Sequence, residues 1–250
     1  MANKMLLLIL CFIGTFLGQA YAGNFEDAGA AFDKGDYQTA FKLMSGEAES
    51  GNAAAQFNLG LLYDNGQGTK QDNKEAFRWF KRSAEQGYSP AQFKVALKYQ
   101  NGQGVKQNNK EAVKWFKLAA AQGNARAQFN LGLIYESGQG VPQDDKEAVK
   151  WYKTAAEQGD SDAKHNLGYM YLNGKGTSQN DKEAFRWYKA AADQGDIAAG
   201  CELAELYALG RGTKKDLKKA KKIAADAIYS GANGSEYCKE VWGKYNLANY

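Results

Sequence analysis

Few side chains in this sequence are placed to perform chemistry. The stretch Ser161-Asp162-Ala163-Lys164 has the Ser-x-x-Lys spacing in which a lysine activates a serine for attack on a β-lactam ring. The companion motifs of such enzymes, Ser-Asp-Asn and Lys-Thr-Gly, do not occur in the chain. Because lysine is abundant here, one such four-residue match is expected by chance. We therefore predict no catalytic residue.

Metal and cofactor sites are not expected either. The chain contains one histidine, His165, and three cysteines that form no cluster. Gly-x-Gly pairs recur, but they follow predicted helices instead of strands and lack the third glycine of a nucleotide-binding loop. We predict neither a metal nor a cofactor.

The strongest signal in the chain is a period of 36 residues, which glycines, tryptophans and tyrosines all follow. These residues are Gly51, Gly87, Gly123, Gly159, Gly195 and Gly231; Trp79, Trp115, Trp151 and Trp187; and Tyr63, Tyr99, Tyr135, Tyr171 and Tyr207. A fixed period of this size indicates a stack of similar units in which each unit contacts only its neighbours.

Each unit is predicted to contain two helices, called helix A and helix B. In the first unit, residues 53–65 carry apolar side chains at helical spacing, and Gly66 can adopt the left-handed backbone that ends a helix. Asp72, with Glu75 three residues later, predicts a capping box at the start of helix B. Trp79 is predicted to lie in the core, on the apolar face of helix B.

Four regions follow from this pattern. We predict a signal peptide at residues 1–22, an N-terminal capping helix pair at 23–51, five repeats, and a C-terminal capping helix at 232–250. The five repeats are residues 52–87, 88–123, 124–159, 160–195 and 196–231.

The N-terminus predicts export from the cytoplasm. Lys4 precedes an almost unbroken apolar run at residues 5–17, and Ala20-Tyr21-Ala22 is a small-x-small cleavage site, so we expect cleavage after Ala22. The run is too short for a membrane-spanning helix. We expect a secreted or periplasmic protein without a transmembrane segment. The formal net charge of +4 is too small to indicate nucleic acid as a partner.

Two cysteines, Cys201 and Cys238, remain after the predicted cleavage. An oxidising compartment permits a disulfide, and their spacing is one residue more than the period. Spacing alone does not bring their Cα atoms within the roughly 7 Å that a disulfide requires. The sequence therefore leaves both a disulfide and two free thiols open.

The third unit shows the repeat motif most completely. Its residues are Ala127-Gln128-x-x-Leu131-Gly132-x-x-Tyr135, then Gly138-x-Gly140-Val141, Asp144, Ala148 and Trp151, and finally Ala155-Ala156-Glu157-Gln158-Gly159. This pattern resembles the Sel-1-like repeat family, which is related to the tetratricopeptide repeat. Ala96 replaces the helix-A glycine in the second unit, and Ile223 replaces the tryptophan in the fifth. The resemblance implies an all-α fold, a right-handed α/α superhelical solenoid of 36-residue helix-turn-helix repeats with its A helices on the concave side.

The resemblance also implies a function. Such proteins act as adaptors or scaffolds, so our hypothesis is a secreted or periplasmic, non-catalytic repeat scaffold that binds a protein or peptide partner in its concave groove. The alternative is a β-lactamase-like or cell-wall-directed hydrolase, which has been described for secreted, cysteine-rich members. Those members carry paired cysteines within each repeat, which this chain lacks.

The predicted groove is lined by equivalent positions of successive A helices. The candidates are Phe57, Asn58, Leu61, Phe93, Lys94, Leu97, Phe129, Asn130, Leu133, His165, Asn166 and Tyr169. Amides can pair with an extended peptide backbone while apolar positions accept its side chains. The phenylalanines could equally pack between helices as core, with His165 in the same column. In the fifth unit these positions become Cys201, Glu202 and Glu205, which makes that end acidic.

Overall fold

The computed structural model describes residues 19–230 and 235–249. These residues form thirteen α-helices and one short 3-10 helix, and they contain no strand. The α-helices are α1 (Gln19–Asp33), α2 (Tyr37–Glu49), α3 (Ala53–Asn65), α4 (Asn73–Glu85), α5 (Ser89–Asn101), α6 (Asn109–Ala121), α7 (Ala125–Ser137), α8 (Asp145–Glu157), α9 (Ser161–Asn173), α10 (Asp181–Ala192), α11 (Ile197–Leu209), α12 (Leu217–Tyr229) and α13 (Glu236–Lys244). The predicted all-α repeat fold is confirmed. Residues 1–18 of the predicted signal peptide lie outside the described residues.

The A helices of the five repeats are α3, α5, α7, α9 and α11, and the B helices are α4, α6, α8, α10 and α12. Before them stands the helix pair α1 and α2, and after them stands α13, followed by a 3-10 turn at Leu247–Asn249. The described residues fall into two compact units, each larger than a repeat: the first unit lies within residues 1–119 and the second unit within residues 120–250.

Each A helix ends at the first glycine of its Gly-x-Gly loop. The φ angles of these glycines lie between 65° and 73°, in the left-handed region that glycine adopts without steric cost. In the first repeat, the Gly66 amide donates back to the Leu62 carbonyl and closes the last turn. The prediction that a left-handed glycine ends each A helix is confirmed.

The start of each B helix differs from the capping box that the sequence predicted. Asp72 accepts hydrogen bonds from the backbone amides of Lys74 and Glu75, as expected for an N-cap residue. However, the Asp72 amide donates to the Tyr63 carbonyl at 2.9 Å, and the Glu75 carboxylate binds Arg78 at 2.6 Å. The glutamate therefore does not reach back, because the preceding A helix already satisfies the amide that it would have bound.

The centre of each of the first four repeats is the ring that follows the tryptophan, whereas the sequence predicted the tryptophan itself as core. Phe80, Phe116, Tyr152 and Tyr188 are fully buried. The tryptophans before them, apart from Trp187, are only partly buried. Phe80 was not part of the apolar face predicted for helix B, but it lies one helical turn from the buried Ala76 and Ala84, and the packing of helix A makes it central.

Helix A makes room for that ring with a glycine. A Cβ added at Gly60 would lie 2.7 Å from the Phe80 ring, and one added at Gly132 would lie 2.5 Å from the Tyr152 ring. The fifth repeat has lost this pairing, since Ala204 and Ala224 stand at the equivalent positions and both are buried. The glycine is not required against every ring, however, since Ala96 stands at this position opposite Phe116 in the second repeat and both side chains are fully buried.

Successive repeats meet at the second glycine of each loop. A Cβ added at Gly104 would lie 1.9 Å from the carbonyl oxygen of Asn73, the first residue of the previous B helix. At Gly176 and Asp145 the corresponding distance is 2.1 Å. Within each of the two units, backbone therefore contacts backbone between successive repeats, which fixes the position of one repeat on the next.

In the second unit, charged side chains reinforce this contact. Arg211 binds Asp181 through two hydrogen bonds of 2.6 and 3.0 Å, and these bonds lower the pKa of the Asp181 carboxyl. One repeat earlier, the Lys175 ammonium lies 3.7 Å from Asp145. The loop residue between the two glycines thus pairs with the first residue of the preceding B helix.

A disulfide joins Cys201 on α11 to Cys238 on α13, with the Cα atoms 4.8 Å apart. Both cysteines are fully buried in an apolar cluster that includes Ala224 and Val241. Cys201 occupies the position at which earlier A helices carry a ring, opposite the position where the fifth repeat carries Ala224 instead of a ring. The disulfide therefore fills and fixes the end of the array that has lost its aromatic pair.

The burial pattern predicts how repeat two responds to truncation. Phe116→Ala should lower the free energy of unfolding by about 3–5 kcal/mol, because it leaves a cavity at the centre of the repeat. Trp115→Ala should cost less, because its ring is only partly buried. Urea denaturation of both variants measures the difference, and a larger loss for Trp115→Ala would contradict this account of the core.

The contact between repeats predicts the effect of a methyl group at Gly104. Gly104→Ala and Gly35→Ala both place alanine at a positive φ, +74° and +81°, which costs about 1–2 kcal/mol. Only Gly104→Ala also meets a carbonyl oxygen, since a Cβ at Gly35 has no heavy atom within 4 Å. Gly104→Ala should therefore be less stable than Gly35→Ala by about 1–3 kcal/mol in thermal or urea unfolding. Equal losses would show that the second loop glycine is not needed for close packing.

The disulfide predicts a redox-dependent stability. Replacing both cysteines, Cys201→Ala and Cys238→Ala, should reduce stability by about 2–4 kcal/mol. A reductant should lower the melting temperature of the natural protein towards that of the double variant, which should not itself respond. If the natural protein melts at the same temperature with and without reductant, the disulfide contributes nothing.

Candidate binding face of the A helices

The ring column of the A helices packs on the buried rings of the B helices. Centroid distances are 5.7 Å for Phe57 and Phe80 and 5.8 Å for Phe93 and Phe116 in the first unit. In the second unit Phe129 lies 5.9 Å from Tyr152, and His165 lies 5.5 Å from Tyr188. These four A-helix residues are partly buried, so they support the core and also keep part of each ring at the surface.

His165 takes the position of a phenylalanine and makes one polar contact from it. Its Nδ1 atom lies 3.4 Å from Asp196 Oδ2. Burial alone would raise the pKa of the Asp196 carboxyl, but hydrogen bonds from His165 and from the Ala199 amide outweigh burial and lower it. Asp196 is also the N-cap of α11, so the histidine is tied to the start of the next A helix.

The remaining candidates of the first unit lie partly buried on α3 and α5. They are Asn58, Leu61, Lys94 and Leu97. Leu61 and Phe57 pack against the cluster that contains Phe80 and Val95. This part of the face is therefore closely joined to the core.

The second unit exposes more apolar surface at the same positions. Leu133 on α7 is 38 % exposed and Tyr169 on α9 is 45 % exposed. They occupy equivalent places in successive A helices, one turn after the half-buried Phe129 and His165. Beside them, the Asn130 side-chain amide donates to the Arg126 carbonyl at 2.8 Å.

The Asn166 side chain, which the sequence predicted would pair with a bound peptide backbone, already has a partner within the protein. It hydrogen-bonds the Tyr152 hydroxyl, which also donates to Glu136 at 2.6 Å. Burial raises the pKa of that hydroxyl, and the contact with Glu136 raises it further. Lys175 completes the group at 2.8 Å from Glu136. Asn166 thus belongs to a polar network between repeats, and its replacement is expected to affect folding as well as any binding.

The acidic end of the face contains two carboxylates, Glu205 and Glu202, and among the described residues only Glu205 is paired with a cation. Glu205 accepts hydrogen bonds from Tyr237, from Tyr245 at 2.8 Å and from Lys244 at 2.7 Å. Burial alone would raise the pKa of Glu205, but these bonds lower it. Within the described residues, no hydrogen bond or ion pair reaches the Glu202 carboxylate, which the sequence analysis did not select as a site residue. The signal was present in the sequence, since Glu202 stands where three other repeats carry asparagine.

The lysine of the Ser-x-x-Lys stretch makes structural contacts. The Lys164 ammonium donates to the Gly159 carbonyl at 3.3 Å and to Gln194 at 2.8 Å. Gln128 stands at the equivalent position one repeat earlier and donates to the Ala120 carbonyl. Lys164 therefore ties the start of helix A to the end of the preceding B helix, as the glutamines of repeats one to three do.

The residues that the structure describes contain no group of three or more side chains that could hold a metal ion. None of their helices is long and apolar enough to cross a bilayer.

The sequence profile of the Sel1 repeat matches this chain five times. The matched residues are 53–88, 89–124, 125–160, 161–196 and 198–225. The first four matches begin one residue after the repeat boundaries predicted above. No curated protein sequence is significantly similar to the chain.

Solved structures of similar fold include two with considerable sequence identity. A Sel1 repeat protein from Oxalobacter formigenes is 33 % identical, with a TM-score of 0.78, and the match covers 83 % of this chain and 86 % of that one. The protective antigen c5321 of uropathogenic Escherichia coli, described as having an SLR fold, is 38 % identical with a TM-score of 0.76. That match covers 78 % of this chain and 42 % of c5321, so the chain spans about two fifths of the antigen's length. The immunity protein PA5088 from Pseudomonas aeruginosa, 22 % identical with a TM-score of 0.53 over 89 % of this chain and 85 % of its own, shares the fold alone.

Proposed function

This chain belongs to the Sel1 repeat family, and we propose that it is a non-catalytic scaffold that binds a protein or peptide partner on its A-helix face. Repeat proteins of this kind usually present extended surfaces to other macromolecules. The binding face is proposed to centre on α7 and α9 in the second unit, with Leu133 and Tyr169 as its apolar contacts.

The observation that carries this proposal is the exposure of those two side chains. Large apolar residues are normally turned inward in a helical array, and aromatic residues in particular often anchor an interface. Leu133 and Tyr169 are both more than one third exposed at equivalent positions of two successive A helices. A bound partner would remove both from water together.

Polar groups beside these residues suit an extended peptide. Asn130 uses one amide hydrogen for the Arg126 carbonyl. Its second amide hydrogen and its oxygen can still pair with a peptide backbone. Side chains of the peptide would then contact Leu133, Tyr169 and the accessible edge of Phe129, a division of roles that is common in peptide recognition.

We further propose that the protein works outside the cytoplasm, in the periplasm or after secretion. The apolar segment that follows Lys4 supports this location. The disulfide between Cys201 and Cys238 also supports it, because disulfides persist mainly in oxidising compartments.

Selection from a displayed library of random twelve-residue peptides tests the proposed function. Peptides that the purified protein enriches are synthesised, and their dissociation constants are measured by fluorescence anisotropy. Leu133→Ala and Tyr169→Ala should each weaken binding about tenfold or more, because each removes an apolar contact at the centre of the face.

Leu118→Ala is the matched control, since Leu118 is 49 % exposed but lies on a B helix. It should leave the affinity unchanged. Circular dichroism checks that all three variants keep their helical content. If neither A-helix variant changes the affinity, or if Leu118→Ala changes it as much, the proposed face is wrong.

A further inference from the structure

The Glu202 carboxylate is unusual among the acidic groups around it. It lies on α11, at the end of the A-helix face in the second unit, and its side chain is half-buried. Asp196 is held by His165 and by the Ala199 amide, and Glu205 is held by Lys244 and two tyrosines. In the part of the chain that the structure describes, Glu202 has no such partner.

Burial of a charge without a partner is costly in proteins. Here burial raises the pKa of Glu202, and the nearby Glu205 raises it further, whereas His165 opposes both effects. The surroundings therefore disfavour the carboxylate in the free protein. A residue that serves only stability would not be expected to carry this charge here.

A second observation at the same place concerns Tyr188. This tyrosine is fully buried, yet its hydroxyl has no hydrogen-bond partner among the described residues. The equivalent hydroxyl one repeat earlier, on Tyr152, is bound by Glu136 and by Asn166. The corresponding positions around Tyr188 are Leu172 and Glu202. The tyrosine hydroxyl and the polar side chain beside it are thus hydrogen-bonded in repeat three, but the equivalent groups, Tyr188 and Glu202, have no such partners among the described residues.

Several aromatic side chains interact electrostatically with this carboxylate. Glu202 acts on the hydroxyls of Tyr188 and Tyr237, and His165 acts on Glu202. The hydroxyl of Tyr169, the exposed aromatic residue of the proposed binding face, also acts on Tyr188. A half-buried carboxylate in this position is a suitable site for a cation, because an ion pair would offset the cost of burying the charge.

We propose that Glu202 receives one basic side chain, a lysine or an arginine, from the peptide or protein that occupies the A-helix face. This inference rests on the proposed function above and adds the chemistry of one partner residue. The apolar part of the partner lies on Leu133 and Tyr169, and its basic residue extends to α11. The cation would supply the countercharge that Glu202 lacks among the described residues.

The test uses the peptides selected by the library described above. The selected sequences should be enriched in lysine or arginine at one position relative to their apolar residues. Replacing that lysine by norleucine, or that arginine by citrulline, should weaken binding to the natural protein about tenfold. The same replacement should have little effect on binding to Glu202→Gln, because the carboxylate that the cation contacts is then absent.

Glu240→Gln is the control for net charge, since Glu240 is an exposed glutamate on α13. It should bind the basic and the neutral peptide as the natural protein does. Glu202→Gln should melt no lower than the natural protein, because it removes an unpartnered charge. If Glu202→Gln fails to fold, Glu202→Asn replaces it, since asparagine stands at this position in repeats one, three and four.

The outcomes separate this inference from the proposed function. Two results would overturn the basic-residue site alone, provided that the peptides bind through Leu133 and Tyr169. The selected peptides could show no preference for lysine or arginine, or the norleucine or citrulline replacement could weaken binding to Glu202→Gln as much as it weakens binding to the natural protein. Failure to select any peptide would overturn both proposals. Loss of the basic preference in Glu202→Gln but not in Glu240→Gln supports the site.

Discussion

The contact on which this fold depends is the approach of a loop glycine to the backbone of the preceding repeat. Gly104 and Gly176 each stand where a Cβ would overlap the carbonyl oxygen of the first residue of the previous B helix. Because the contact joins backbone to backbone, it fixes the spacing of successive repeats within each unit whatever side chains surround it. A larger residue in place of this glycine would separate the two repeats and expose the apolar faces between them. The 36-residue period of the sequence is therefore also a period of physical contact.

Inside repeats one, three and four a second close approach sets the core. A ring from helix B lies against a glycine of helix A, as Phe80 lies against Gly60, and a ring of the A-helix face packs on the B-helix ring from the side. This explains why Phe57 and His165 are neither wholly core nor wholly surface. It also explains the fifth repeat, in which the B-helix ring is absent and a disulfide from Cys201 takes over the same space. The C-terminal end is thus fixed by a covalent bond where earlier repeats use aromatic packing.

The surface left by this packing differs between the two units, and the difference supports the proposed function. In the first unit the candidates on α3 and α5 are partly buried. In the second unit Leu133 and Tyr169 extend into solvent. The row ends at Glu202, whose carboxylate has no partner among the residues that the structure describes. Local stability does not explain this row. Apolar side chains are more stable when buried, and a carboxylate is more stable when it is solvated or paired with a cation. Their arrangement is better explained by a partner that covers the apolar residues and neutralises the carboxylate.

The sequence by itself determined the helices and their order. The apolar period, the glycine at the end of each A helix and the Asx residue at the start of each B helix are local signals, and local hydrogen bonds are sufficient to realise them. Tertiary structure decided what depends on neighbours: that Phe80 and not Trp79 is central, that Glu75 binds Arg78 while the Asp72 amide binds Tyr63, and that Asn166 is held by Tyr152. It also decided that Leu133 is exposed while Phe129 is half-buried, although both lie on the same helix. A helical period shows which face of a helix is apolar, but it does not distinguish between two adjacent side chains on that face. Only the helix packed against it determines which of the two is buried and which polar groups already have a partner.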